Sequence, residues 1–170
     1  MNTLFIEKRI IRTIFVLMTI LLAVIAVVRM GISLFRIDVN ADAAYYLGVS
    51  RLILDGKTPF LDFPPGYTPL SFYIMSVPIN IWGTSFSVAL LSLYLFHIIN
   101  AVILYKIVRQ NSGNRIIAAF CCVFSLLLCI GTDGCRYILE PFVLFFGLLA
   151  LFVLKRGSTK WIILSGFLCF

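Results

Sequence analysis

The organisation of this chain follows from residues 38–70, which read DVNADAAYYLGVSRLILDGKTPFLDFPPGYTPL. This stretch holds four of the seven acidic residues and four of the six prolines, together with a dense set of aromatic side chains. The sequence on either side of it is strongly apolar. A polar segment of this composition, placed directly after a hydrophobic anchor, is where we expect the chemistry of the protein.

The composition predicts an integral membrane protein of the all-α class. Hydrophobic residues make up 62% of the 170-residue chain and charged residues only 12%, with a mean hydropathy of +1.08. Soluble domains are about 45–50% apolar and about 25% charged, so we do not expect a water-soluble globule. The basic residues behind the net charge of +7 lie in short clusters between apolar runs. This distribution is typical of membrane topology signals, and we expect no nucleic-acid partner.

The cysteines form no pattern typical of a metal site or a disulfide framework. They are Cys121, Cys122, Cys129, Cys135 and Cys169. All but Cys135 lie inside apolar segments, where a free thiol behaves as a small hydrophobic side chain. We therefore expect neither a zinc site nor structural disulfides.

The apolar runs predict one transmembrane module over residues 1–170, with about four full spans and a partial fifth. The runs cover residues 13–35, 85–105, 116–130, 141–154 and 161–170. As a helix the first run is about 35 Å long, enough to cross the bilayer core, and it is long for a cleaved signal peptide. The last run is too short to complete a span. We therefore expect the chain to be a truncated reading frame or the N-terminal fragment of a longer protein.

Two short helices are predicted between the first two spans. Residues 38–54 form the first, which is stabilised by an Arg51–Asp55 pair and ended by Gly56. Residues 70–82 form the second, and they are too few to cross the bilayer. We therefore expect one long outer loop over residues 36–84, with two juxtamembrane helices that lie along the membrane surface.

The basic residues also predict the orientation. When the N-terminus and the loops at residues 106–115 and 155–160 are cytoplasmic, nine of the fourteen Lys and Arg residues lie inside and six of the seven acidic residues lie outside. This is the arrangement that the positive-inside rule favours. It predicts a multi-pass protein of the cytoplasmic (plasma) membrane with a cytoplasmic N-terminus.

The order of motifs in the outer loop resembles that of the GT-C glycosyltransferases. The motifs are DAAYY at residues 42–46, LDGKTPF at 54–60, DFPPGYTPL at 62–70 and the Glu140-Pro141 pair. The chain is most similar to the dolichyl-phosphate-mannose protein mannosyltransferase-like branch and its bacterial relatives. The likeness covers roughly residues 10–156. The family commonly has Asp-Glu where this chain has Asp-Ala, and its core is several hundred residues long.

The resemblance implies an inverting transfer of a hexose or pentose from a polyprenyl-phosphate carrier, on the outer face of the membrane, to a glycan, lipid or protein acceptor. A phosphate leaving group is a weak base, so the reaction needs no general acid. It needs one carboxylate to take the proton of the acceptor hydroxyl, and Asp42 is the candidate base. Cations stabilise the charge of the phosphate, and Arg51, Lys57 and Arg136 are the candidates.

Other candidate substrate-binding residues are Glu140, Tyr46 and Tyr67. Glu140 stands where the family often has a second acidic residue, so it is a candidate acceptor-positioning group. A divalent metal held by Asp42 and Glu140 is left open, and no other cofactor is expected. A structural interpretation remains beside each role. Asp42 suits the first turn of a helix, Glu140 can pair with an arginine one turn back, and the aromatic residues suit an interfacial belt.

A second hypothesis is a non-enzymatic multi-span membrane protein, such as an assembly subunit or a transporter fragment. The short chain favours this alternative. Solute flux through the reconstituted protein without binding of a lipid-linked sugar would support it, whereas an in-frame continuation of the gene with further spans would support the enzyme. If the chain is incomplete, we expect it to be inactive alone.

Overall fold

The computed structural model describes residues 3–35, 41–66, 69–131, 140–155, 157, 159–161 and 163. Within these ranges every regular element is an α-helix. The helices are α1 (Thr3–Phe35), α2 (Ala41–Leu54), α3 (Pro69–Trp82), α4 (Phe86–Ser112), α5 (Arg115–Gly131) and α6 (Glu140–Leu154). The predicted all-α class is confirmed for this part of the chain.

Two of the described helices are long and apolar enough to cross a membrane. They are Arg9–Phe35 within α1 and the whole of α4. The helices α5 and α6 have 17 and 15 residues, about 25 and 22 Å of helix, at or just below the usual length of a span. Two of the four predicted full spans therefore meet the length criterion. The predicted fifth, at residues 161–170, falls almost entirely outside the described residues.

The two longest helices extend beyond the predicted apolar runs. The first begins at Thr3 instead of residue 13, and α4 continues to Ser112 instead of ending at residue 105. The added turns contain Lys and Arg, which are good helix formers but lower the hydropathy on which the prediction depended. Each of these two helices thus contains the predicted apolar run and continues into a polar end.

The centre of the described fold is α4. It packs against α1, α3, α5 and α6, and α5 lies between α1 and α4. The helices α2 and α3 pack together as a hairpin. Two polar contacts fix the register between distant helices. The hydroxyl groups of Ser33 and Tyr94 are hydrogen bonded, and Asn100 Nδ2 donates to the Pro141 carbonyl oxygen at 2.8 Å.

The two halves of α4 have different partners. One core cluster joins α2 and α3 to the N-terminal half of α4 and to the start of α6; its members are Ala43, Tyr46, Val49, Phe72, Met75, Ala89, Leu90, Leu93, Tyr94 and Phe142. At the other end, Lys155 is hydrogen bonded to Asn111. Because α6 begins beside Asn100 and ends beside Asn111, it runs parallel to the C-terminal half of α4. The α2–α3 hairpin therefore covers the opposite half.

The predicted end of α2 is confirmed in detail. Gly56 has a φ of +82°, its N–H donates to the Ile53 carbonyl, and the next N–H, of Lys57, donates to the Leu52 carbonyl. This is a Schellman motif, which satisfies two carbonyl groups at the end of a helix and favours glycine at the left-handed position. The chain is thereby turned out of α2 into the segment that leads to α3.

The second short helix, α3, presents an apolar stripe to the outside. Phe72, Met75 and Ile79 are buried, and the first two belong to the core cluster that α3 shares with α2 and α4. The opposite side of the helix is lined by exposed apolar side chains, namely Leu70, Tyr73, Val77, Ile81 and Trp82. Fourteen residues of helix are about 21 Å long, too short to cross the bilayer. The shape and surface of α3 suit a helix that lies against lipid without crossing it.

Candidate functional site

The segment between α2 and α3 is attached to α2 through Tyr45. The Tyr45 hydroxyl accepts a hydrogen bond from the Gly66 N–H at 2.7 Å. Its ring packs edge-on against Phe72 of α3, with 6.2 Å between ring centroids. One side chain of α2 thus contacts both the Pro-Pro-Gly sequence and the following helix.

Residues 58–63 form a compact turn. The Asp62 carboxylate accepts a hydrogen bond from the Thr58 N–H at 2.7 Å, and Phe60 N donates to the Phe63 carbonyl at 2.9 Å. Asp62 therefore stabilises the turn. Phe60 has a φ of +69°, and the side chains of Phe60 and Leu61 are 70% and 86% exposed. The turn presents two apolar side chains at its tip.

Arg51 connects α2 to the start of α4. Its Nε lies 3.2 Å from Asp55 Oδ1, which confirms the predicted pair. Its Nη1 also donates to Thr84 Oγ1 at 2.7 Å, across the junction between α3 and α4. This guanidinium, a candidate phosphate ligand, is therefore already engaged on two sides. Lys57 is exposed directly after the end of α2.

The two candidate carboxylates lie at the starts of two helices. Asp42 belongs to the first turn of α2, and Glu140 is the first residue of α6; the side chains of both lie outside the described set. Their neighbours along the chain, Ala43 and Phe142, are fully buried members of the same core cluster. The fold thus brings two acidic positions that are almost a hundred residues apart to the border of one cluster.

The remaining candidates divide into one buried residue and two outside the described part of the chain. Tyr46 is only 5% exposed, and its ring lies 6.0 Å from that of Phe72. It is a core residue, and its burial does not support the predicted contact with a substrate. Tyr67 and Arg136 lie outside the described residues, so their substrate-binding roles stay predictions.

Sequence reasoning gave no specific role to Tyr45 and did not mention Thr84. Tyr45 was grouped with the other aromatic residues as part of an interfacial belt. Its hydroxyl meets a backbone group 21 residues away, and Thr84 meets Arg51 across 33 residues. No local pattern signals contacts at such separations.

A second polar region lies inside the bundle. His97 and Asn100 are each 3% exposed. With Ser125 and Cys129 they line a cavity of about 200 Å³ between α4, α5 and α6. Asn100 Oδ1 is buried without a hydrogen-bond partner among the described residues.

The described side chains contain no group of three His, Cys, Asp or Glu residues placed to hold a metal ion. Asp42 and Glu140, the two residues for which a metal was left open, have side chains outside that set. This observation therefore does not test a metal site formed by those two carboxylates.

The comparisons with known proteins give no match. The sequence fits no protein-family model, and neither a curated protein nor a solved structure is significantly similar to it. The resemblance to the GT-C glycosyltransferases therefore depends on the motifs quoted above alone.

Proposed function

We propose that this chain is the N-terminal membrane module of a GT-C-type glycosyltransferase that uses a polyprenyl-phosphate-linked sugar on the outer face of the plasma membrane. The observation that carries the proposal is the position of Asp42. It lies at the start of α2, next to the buried Ala43, and the cluster around Ala43 also contains Phe142, two residues after Glu140. Two acidic positions thus border the same core, at the end of the bundle where the α2–α3 hairpin packs.

The surroundings of this position suit a lipid-linked donor. The exposed stripe of α3 is apolar, so α3 can lie at the lipid surface where a polyprenyl chain is dissolved. The turn before α3 exposes Phe60 and Leu61 near the same hairpin. A donor that arrives within the membrane would therefore reach its site from the lipid side.

The proposed reaction is a direct displacement. The Asp42 carboxylate takes the proton of the acceptor hydroxyl while the acceptor oxygen bonds to the anomeric carbon of the sugar. The bond from that carbon to the phosphate oxygen breaks, and polyprenyl phosphate leaves with the electron pair. Attack from the opposite face inverts the anomeric configuration. Positive charge stabilises the phosphate, and Lys57 is better placed for this than Arg51, because Asp55 and Thr84 already engage the Arg51 guanidinium.

The test is Asp42→Asn in the native gene, with transfer of radiolabelled sugar from a polyprenyl-phosphate donor measured in isolated membranes. Loss of a general base lowers the rate by about 10²–10⁴-fold, and we expect a loss of that order. Asp55→Asn is the matched control, because it removes an exposed carboxylate from the other end of the same helix. Undiminished transfer by the Asp42 variant, at equal protein abundance, would show that Asp42 is not the general base.

The alternative, a component of a transporter, has one observation in its favour. The polar side chains of His97, Asn100 and Ser125 line a buried cavity between three apolar helices, and polar residues inside a membrane bundle often mark a solute or proton pathway. Flux of a labelled solute into proteoliposomes that is lost in a His97→Ala/Asn100→Ala variant and unchanged in Asp42→Asn would favour this function over sugar transfer.

A further inference from the structure

A groove lies at the end of the bundle opposite the α2–α3 hairpin. It forms where the first turns of the apolar part of α1 pass the turn between α4 and α5, and its volume is about 740 Å³. Cavities of this size hold small ligands. Phe15 of α1 and Phe120 of α5 pack edge to face at 5.4 Å, so the two helices that form its walls are in direct contact.

The lining of the groove combines positive charge with apolar walls. Arg12 from α1 and Arg115 from the start of α5 both line it, and none of the lining residues is acidic. The apolar part of the lining comes from Ile11, Phe15, Ile116 and Ile117. Two guanidinium groups beside a hydrocarbon surface match a ligand that has an anionic head and an apolar tail.

The local backbone adds to the positive potential. Asn114 Oδ1 accepts hydrogen bonds from the N–H groups of Ile116, at 2.9 Å, and Ile117, at 3.4 Å, so Asn114 caps α5. The N-terminus of α5 therefore faces this end of the bundle with its partial positive charge. Arg115, the first residue of the helix, adds a full charge at the same place.

From these observations we infer that the groove binds an anionic glycerophospholipid of the membrane leaflet at this end of the bundle. The lipid phosphate lies between Arg12 and Arg115, and an acyl chain follows Ile11 and Phe15 along α1. By the positive-inside rule this leaflet is the cytoplasmic one, which carries the anionic lipids that bind basic pockets between helices. The inference goes beyond the proposed sugar transfer and does not depend on Asp42.

The chain contains an internal control for general electrostatic attraction. Lys106 and Arg109 lie in the last turns of α4, at the same end of the bundle, and both are exposed. Neither lines the groove. Removing two charges there changes the net charge by the same amount as removing Arg12 and Arg115, so only a site in the groove distinguishes the two changes.

The experiment is native mass spectrometry of the protein released from nanodiscs of phosphatidylglycerol and phosphatidylcholine. We expect the wild type and a Lys106→Gln/Arg109→Gln variant to retain phosphatidylglycerol selectively. An Arg12→Gln/Arg115→Gln variant should retain it on the order of tenfold less, as expected from the loss of two basic contacts with an anionic lipid. Inorganic phosphate in excess should not displace the lipid, because the apolar walls contribute to binding.

Three results would overturn the inference. Equal losses in the two glutamine variants would show that the charge of this end, and not the groove, attracts lipid. Displacement by inorganic phosphate would show a site for the free anion. A wild-type dimer that disappears in the Arg12→Gln/Arg115→Gln variant would show that a second copy of the chain fills the groove.

A conservative variant separates binding from folding. Arg12→Lys/Arg115→Lys keeps both charges and loses the planar guanidinium fork, so we expect its phosphatidylglycerol retention to lie between that of the wild type and that of the glutamine variant. If the glutamine variant has a lower helical content by circular dichroism, the comparison is made with the lysine variant alone. Retention by that variant equal to the wild type's would then contradict the guanidinium contacts.

Discussion

The Gly66 N–H donates a hydrogen bond of 2.7 Å to the hydroxyl of Tyr45, which lies 21 residues earlier in the chain. The bond closes the segment between them into a loop. The closed segment contains the end of α2, the Asp62 turn and the Pro-Pro-Gly sequence. Tyr45 lies three residues after Asp42 in the same helix. The bond therefore couples the position of the proposed base to the segment that leads into α3.

Tyr45→Phe should loosen this segment while leaving the core intact. The substitution removes the hydroxyl acceptor and keeps the ring contact with Phe72, so we expect a loss of about 0.5–1.5 kcal/mol in stability, typical of one hydrogen bond. Hydrogen–deuterium exchange should become faster at Gly66 and in residues 57–65. Tyr73→Phe, which changes an exposed tyrosine of α3, is the control. Unchanged exchange at Gly66 would show that the bond does not hold the segment.

Much of the local structure of the hairpin was predictable from the sequence, because it depends on short-range rules. The Arg51–Asp55 pair follows from the spacing of four residues on a helix, and the end of α2 follows from the conformational freedom of Gly56. The short helix α3 was predicted from its length and apolar character. All three are confirmed by the structure.

The contacts that join distant parts of the chain could not be predicted from it. These contacts depend on how whole helices pack, and a hydropathy pattern does not specify the register between helices. They are the hydrogen bonds between Tyr45 and Gly66, Arg51 and Thr84, and Asn100 and Pro141. The burial of Tyr46 has the same origin. Both tyrosines have the same sequence signal and both rings contact Phe72. Only the packing of the helices places Tyr46 in the core cluster and leaves Tyr45 exposed.

Arg51 and Lys57 should contribute differently to donor binding. Because Asp55 and Thr84 engage Arg51, we expect Lys57→Ala to weaken binding of a polyprenyl-phosphate sugar more than Arg51→Ala does, as measured by retention of a labelled donor on the purified protein. A larger loss in Arg51→Ala would contradict this.

An Arg51→Ala/Thr84→Val double-mutant cycle on unfolding in detergent should give a coupling of about 0.5–1 kcal/mol, since both groups are exposed.

The Asn100–Pro141 bond should stabilise the packing of α6 on α4. Asn100→Leu leaves the Pro141 carbonyl without its side-chain donor and also removes the unpaired amide oxygen, so the two effects partly cancel. Interhelical hydrogen bonds in membranes contribute about 0.6 kcal/mol on average, and we expect a loss of that size in unfolding experiments in bicelles. Ile99→Leu, a change of shape at the adjacent residue, is the control. A gain in stability would show that the unpaired oxygen costs more than the bond contributes.

The central claim is that the α2–α3 hairpin lies on the outer side of the membrane and that α3 does not cross. Single cysteines at Lys57, Trp82 and Gln110, in a background where the natural cysteines are replaced, test it with a membrane-impermeant maleimide on intact cells. The account predicts labelling at positions 57 and 82 from outside, and at position 110 only after the membrane is permeabilised. Labelling at position 82 only after permeabilisation would mean that α3 crosses the bilayer. Position 57 reached only from the cytoplasm would place the proposed base on the wrong side, and either result would contradict the account.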